Sequence, residues 1–323
     1  MTTVQAPIAS PFGYRSTARE VIAGIDLMGR TALVTGGYSG LGTETVRALA
    51  GAGAHVIVAA RRPDAALNDL AGIDGQISVL PLDLSDPSSI DACAAGVAGV
   101  TDRIDIQINN AAVMANPLSR DARGYESQFA TNHLGHFQLT ARLWPLLAAS
   151  GQARVISVSS VGHQRIGLDL DDINFDHRDY DKWAAYGQAK SANALFALEL
   201  DRLGQSVGVR AFSLHPGGII TPLQRHLTHE EQVKMGWFDA DGKLNPIFKT
   251  TEQGAATSIW CAVSPLLAGE GGVYCEDCNI GAMVDADTPR GSGVLPHIRD
   301  AALATALWAK SEEMTGVKFR PGA

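Results

Sequence analysis

Short runs of consecutive apolar, largely β-branched residues recur along the first two thirds of the chain, separated by stretches with helical spacing. Thr31–Thr35 predicts a buried strand, residues 40–52 a helix, His55–Ala60 a second strand, and residues 77–82 a third after a short helix. Residues 104–108, 155–158 and 209–214 follow as strands, the last reached through a helix over about residues 184–203. Continuous apolar runs mean strands buried on both faces, and intervening helices mean parallel pairing. The pattern predicts an α/β fold, doubly wound about one parallel sheet.

Two stretches break the rhythm. Residues 167–183 (GLDLDDINFDHRDYDKW) are acidic, aromatic and aperiodic, and residues 217–250 form a second long interruption carrying Trp237, Phe238 and Phe248. Long loops in compact domains tend to be lids or binding loops, so both are expected at the substrate mouth. A helix restarts near Thr250, where Thr250 and Gln253 fit a capping box. Without repeats, low-complexity segments or a linker, the chain reads as one domain over 27–284. It has an N-terminal extension, 1–26, and a C-terminal tail, 285–323, whose helical stretch at 299–314 is given a packing role.

Composition narrows the function classes. The chain has 323 residues, 46% hydrophobic and 19% charged, with a formal net charge of −8. That balance argues against nucleic acid or an anionic membrane as partner. No apolar run approaches the ~18 residues of a membrane span, and the first residues lack a secretory pattern, so a cytoplasmic location is expected. Cys93, Cys261, Cys275 and Cys278 are too few and scattered for a disulfide scaffold. Cys275 and Cys278 lack a second ligand pair, and His133, His136, His163 and His215 form no ligand motif, so no metal is expected. Helix packing is the expected role of His133 and His136.

The candidate chemistry lies in three places. The turn 35–42 (TGGYSGLG) sits between the first strand and first helix. Gly36, Gly40 and Gly42, with Ser39 and Leu41 between them, leave room for backbone to approach a pyrophosphate at the helix N-terminus. That is a dinucleotide-binding turn of the Rossmann type, with the strand order 3-2-1-4-5-6-7. The second strand ends in Arg61-Arg62 with no carboxylate. Arginine suits a 2′-phosphate and a carboxylate a 2′-hydroxyl, so NADP(H) is the expected cofactor. Tyr186 and Lys190, four apart on a helix, share a face at about 5–6 Å between Cβ atoms. A cation there favours the phenolate and should lower the phenol from its usual value of about 10.

Taken with Asn109-Asn110-Ala111-Ala112, these motifs resemble the short-chain dehydrogenase/reductase family over roughly 27–284, in the family's order. Residues 131–137 (TNHLGHF), 182–188 (KWAAYGQ), 215–218 (HPGG) and the opening 16–27 are similar to its retinol-dehydrogenase-like and WW-domain-oxidoreductase-like subgroup. The resemblance implies Tyr186 as proton donor or acceptor, with Lys190 tuning it and holding the nicotinamide ribose. It implies Ser160 as the substrate-oxygen ligand, with Ser159 competing for the role, and Asn132 as organiser of a water linking Lys190 to solvent. It also implies cofactor contacts from Asp83 and Leu84 at the adenine, from Asn110 and Ala111 along the groove, and from Pro216, Gly217, Ile219 and Thr221 at the nicotinamide.

The reading is an NADP(H)-dependent oxidoreductase moving hydride between nicotinamide and a carbonyl or alcohol. Met114, Trp237, Phe238 and Phe248 suggest a hydrophobic ketone or aldehyde. The alternatives are a cofactor-sensing binding protein with little turnover, or C=C reduction or epimerisation on the same scaffold. The family favours homo-oligomers, dimers or tetramers, but the tail is long enough to cover the usual interface, which leaves the oligomeric state open.

Overall fold

The computed structural model describes residues 3–239, 241–319 and 321. The apolar runs become β1 (Thr31–Thr35), β2 (His55–Ala60), β3 (Gln76–Pro81), β4 (Ile106–Asn109), β5 (Arg154–Val158) and β6 (Arg210–His215). A short β7 (Tyr274–Glu276) follows. These seven are parallel in the order β3-β2-β1-β4-β5-β6-β7, as the sequence predicts. The structure adds an unanticipated edge strand, β8 (Asn279–Ile280), antiparallel to β7. Asp277 and Cys278 make the turn between them, at φ 51° and 56°. Positive φ at both central residues is what a two-residue hairpin requires. That turn accounts for the spacing of Cys275 and Cys278, whose thiols are free and buried.

The helices are α1 (Ala18–Ile22), α2 (Leu41–Gly51), α3 (Pro63–Leu70), α4 (Pro87–Ala98), α5 (Ser127–Phe129) and α6 (Gly135–Ser150). Then come α7 (Lys182–Gly204), α8 (His229–Lys234), α9 (Thr251–Val263) and α10 (Ala301–Thr315). Alternate residues of each strand feed two cores. Val34, Val58, Ile156 and Phe212 pack with Val21, Val46 and Trp260 from α1, α2 and α9. Leu33, Ile57, Val155 and Ala211 pack with Ile90, Phe137 and Phe196 from α4, α6 and α7. Parallel pairing puts every strand's carboxyl end on one edge, where Gly36, Arg61, Asn110, Ser159 and Pro216 follow.

The extension and tail belong to the same body. Thr17 caps α1 in a reciprocal box with Glu20, and the Gln5 amide ties the extension to Tyr274 and Gly281 at the β7–β8 edge. α10 lies across α7, where Trp308 stacks on Phe196 at 5.8 Å and 13°. The loop at 167–183 departs from its expected place. Its Tyr180 donates to Glu126 Oε1 (3.1 Å), its Arg178 pairs with Asp169 (3.2 Å), and Ile173 O accepts from Gln188 (2.9 Å). Those bonds dock the loop on α5 and α7, and only Trp183 of the stretch reaches the cavity described below. No helix among the described residues is long and apolar enough to cross a membrane.

Candidate active site

A cavity of about 930 Å³ runs along the carboxyl edge of the sheet, from the glycine turn to the long interruption after β6. At one end, Gly36 and Gly40 hold φ of +64° and +56°, which suit glycine. A Cβ on Gly42 would stand 2.3 Å from Gly36 O, so the turn closes only over a bare backbone. Gly40 caps α2 without a side-chain bond, and although Gly42 N donates to Ser39 O (3.1 Å), the other first-turn N–H groups are left for an anion. Asn110 braces the turn by donating to Thr35 O (2.9 Å), while Thr35 Oγ1 accepts from the N–H groups of Asn110 and Ala111 (3.0 Å each).

Gly36, Ser39, Gly40, Leu41, Arg61, Asp83, Leu84, Asn110 and Ala111 all border the cavity, as do Pro216, Gly217, Ile219 and Thr221. Gly42 lies just behind it. Arg62 does not border it: Pro63 fixes the first residue of α3, and Arg62 is spent as the exposed N-cap of that helix. Asp83 Oδ1 accepts from Ser85 N (2.9 Å) and Ser85 Oγ (2.6 Å), which orients the carboxylate at the groove.

Ser160, Tyr186 and Lys190 all border the cavity, Ser160 bonded to the Tyr186 phenol and Lys190 over its ring. The two serines separate cleanly. Ser159 turns into α7 and donates to Lys190 O (2.7 Å), whereas Ser160 Oγ accepts from Gly162 N (3.0 Å) beside the Tyr186 phenol. Burial pushes the phenol up to about 12, with the Ser160 hydroxyl as the opposing influence. Lys190 sits 5.6 Å from the centre of the Tyr186 ring, donates to Val158 O (2.8 Å), and is lowered to about 7 by burial. The expected lowering of the tyrosine by the lysine is therefore not seen here. Desolvation disfavours both charged forms and dominates at the phenol, while Lys190, at about 7, carries part of its charge near neutral pH.

Asn132 lies in a π-helical turn, Ala130–Leu134, between α5 and α6. Its amide clamps Val113, accepting from Val113 N and donating to Val113 O at 2.9 Å each. Its carbonyl is taken by His136 Nδ1 (2.9 Å), so His136 Nε2 is left to accept from Thr35 Oγ1 (2.9 Å). The side chain thus shapes the cavity wall through Val113 and does not itself border the cavity. The other histidines are fastenings too. His215 Nδ1 accepts from Val161 N (3.2 Å) and His163 Nδ1 donates to Ser160 O (2.7 Å), fixing the segment after Ser160. Among the described residues no group of three or more His, Cys, Asp or Glu is placed to hold a metal ion.

The far end is apolar. Met114 and Leu223 join Tyr186 in one cluster with Trp183 and Trp237, and Trp183 meets both Tyr186 (6.3 Å) and Trp237 (6.4 Å) edge-on. Phe248 packs on Trp237 at 5.7 Å. Phe238 is not part of this wall; it packs outside on His229 at 5.4 Å.

The family's short chain dehydrogenase model matches residues 30–232. The chain belongs to the short-chain dehydrogenase/reductase family. It is 44% identical over 292 residues to a probable oxidoreductase of Streptomyces antibioticus, covering 88% of this chain and 97% of that one. It is 35% identical over 301 residues to retinol dehydrogenase 12 of Homo sapiens, covering 91% and 89%. Among solved structures, the Pseudomonas aeruginosa RhlG/NADP active-site complex superposes with a TM-score of 0.61 at 25% identity, covering 77% of this chain and 94% of that one.

Some residues that border the cavity of this short-chain dehydrogenase/reductase carry no motif. Tyr14 arrives from the extension, Arg165 from beyond Ser160, Arg225 from the loop after β6, and 289–292 from the tail. The tail is drawn in because Gly293 N donates to both oxygens of Glu276 (2.9 and 3.0 Å). Nothing in the linear pattern marks these positions, since each depends on a contact between distant segments.

Proposed function

We propose that this short-chain dehydrogenase/reductase is an NADP(H)-dependent carbonyl reductase or alcohol dehydrogenase acting on a hydrophobic ketone or aldehyde. The observation that carries the reading is the meeting of Ser160, Tyr186 and Lys190 between a dinucleotide turn and an apolar wall. The groove fits the cofactor: the turn at Gly36 and Gly42 is bare backbone where a Cβ would collide, and the α2 N-terminus is open. Arg61 at the end of β2, with no carboxylate beside it, favours the 2′-phosphate form. The relative solved as an NADP complex supports the same choice. Asp83, Asn110, Ile219 and Thr221 would complete its holding. Bound nicotinamide supplies or takes the hydride at the carbonyl carbon.

The chain's own residues handle the oxygen. Tyr186, held near 12, is fully protonated at neutral pH and donates its proton to the forming alkoxide. Ser160 donates to the same oxygen as charge develops on it. Lys190 stands beneath the phenol to steady the phenolate left behind, and Asn132 serves as a positioning residue through Val113. Trp183, Trp237 and Phe248 exclude water and receive the apolar body of the substrate. Replacing Tyr186 with Phe should lower kcat about 10²–10⁴-fold. NADPH titration by fluorescence should show binding unchanged, and a variant that still turned over ketones at the wild-type rate would sink the assignment.

A further inference from the structure

The stretch after β6 does more than wall the substrate. Pro222–His226 is a single 3-10 turn, capped by Thr221, whose N–H donates to Gln224 Oε1 (2.8 Å), while Gln224 Nε2 donates to Ile219 O (2.7 Å). This turn is seated on the phosphate-binding turn: a Cβ on Gly40 would stand 3.1 Å from the Thr221 methyl. Arg225 projects from its end into the neighbourhood of Arg61 and Tyr38, and both arginines border the one cavity.

Arg61 and Arg225 thus border one cavity, Arg61 at the point where β2 ends without a carboxylate and Arg225, exposed, on the turn seated over Gly40, where its guanidinium donates to Pro222 O (3.3 Å). Among the described residues neither forms an ion pair with Asp or Glu. Like charges so placed repel and favour an anion between them. Burial and the charge of Arg61 both hold the Arg225 guanidinium below its usual value. Arg62, by contrast, is the N-cap of α3 and does not border the cavity. On the other flank of the same turn, Leu223 and Leu227 pack in one apolar cluster with Met114 and Tyr186.

We propose that Arg225 is a second ligand of the cofactor's 2′-phosphate, shared with Arg61, and that it fastens the substrate wall to the bound cofactor. This rests on the NADP(H) reading above. A guanidinium at each side of the phosphate offers the planar, charge-assisted bonds that arginine makes to phosphate oxygens. Because Leu223 and Arg225 share one short turn, binding the phosphate also sets the position of the apolar wall beside Tyr186.

Calorimetric titration with adenosine 2′,5′-bisphosphate and with AMP tests this without turnover, since the two differ only in the 2′-phosphate. Wild-type protein should prefer the bisphosphate at least tenfold. Arg225→Gln should lower bisphosphate affinity about tenfold and leave AMP affinity unchanged, with Arg225→Lys intermediate; each charge-assisted bond is worth roughly that factor. If Arg61→Gln loses the preference and Arg225→Gln keeps it, the role of Arg225 is overturned and the NADP(H) reading stands. Equal affinity of the wild type for both ligands overturns the reading and the proposal together. Loss of AMP binding in Arg225→Gln would mark a structural role and overturn the proposal alone.

Discussion

At position 190 an amine is 2% exposed and donates to Val158 O, a carbonyl that also accepts from Asn193 Nδ2 at 3.2 Å. Lys190 is a good example of a residue whose type is legible and whose state is not. Its spacing from Tyr186 says that the two meet; only the packing of α7 against β5 says how completely water is removed from both. The consequence is a conflict between stability and chemistry. Lys190→Met should abolish turnover yet raise stability near pH 7 by about 1–2 kcal/mol, because a buried amine is exchanged for an apolar chain of similar length. The sign with pH follows from the lowered folded value of about 7 against an unfolded value of about 10.4. Between those two, the unfolded chain holds a proton that the folded chain lacks, so wild-type stability rises with pH and the variant's advantage shrinks. Urea denaturation at about pH 7 and about pH 9.5 checks both points; a variant less stable than wild type at the lower pH refutes them.

Elements differ in how openly the sequence announces them. The strands and α2 follow from apolar periodicity, and the glycines of the turn follow from what a phosphate site needs. The π-helical turn at Ala130–Leu134 does not: Thr131-Asn132-His133 has no local signature for an extra residue per turn, and the bonds of Asn132 to Val113 and of His136 to Thr35 come from distant segments. Two glycines of α2 make a contrasting pair. Gly42→Ala should cost about 1–3 kcal/mol, because its Cβ would meet Gly36 O at 2.3 Å, and should weaken NADPH binding. Gly51→Ala, with nothing within 4 Å, should be neutral or stabilising by up to about 1 kcal/mol. Thermal melts with a fluorescence titration separate them, and equal effects at the two positions would contradict the close-approach account.

For the whole molecule, the tail has the packing role expected of its helical stretch, and the structure supplies the surface it packs on. α10 buries Phe196 under Trp308, Phe319 packs on Phe137 at 5.7 Å, and His133 Nε2 donates to Ser311 Oγ at 2.7 Å. Removing 300–323 would uncover this aromatic surface on α6 and α7. Light scattering after size-exclusion chromatography should then show self-association or aggregation, together with a lower melting temperature. A truncated protein as stable and as dispersed as the full chain would show that the aromatic packing is dispensable.

The sequence determined the strands, the helices and their parallel α/β character, because buried parallel strands and covering helices impose periodicities that survive in one dimension; the strand order was legible only through the Rossmann-type pattern. It also determined the residue types at the phosphate turn and at Ser160, Tyr186 and Lys190, because each task needs a particular chemistry at a fixed local spacing. Tertiary structure decided the rest. It turned the Ser159 hydroxyl into α7 and set the Ser160 hydroxyl beside the Tyr186 phenol, sent Arg62 to a helix cap while Arg61 stayed at the groove, and placed Phe238 outside the wall. It docked 167–182 away from the mouth and brought Arg225 and 289–292 to it. These outcomes depend on which surfaces of distant segments exclude water together, and no local pattern encodes that.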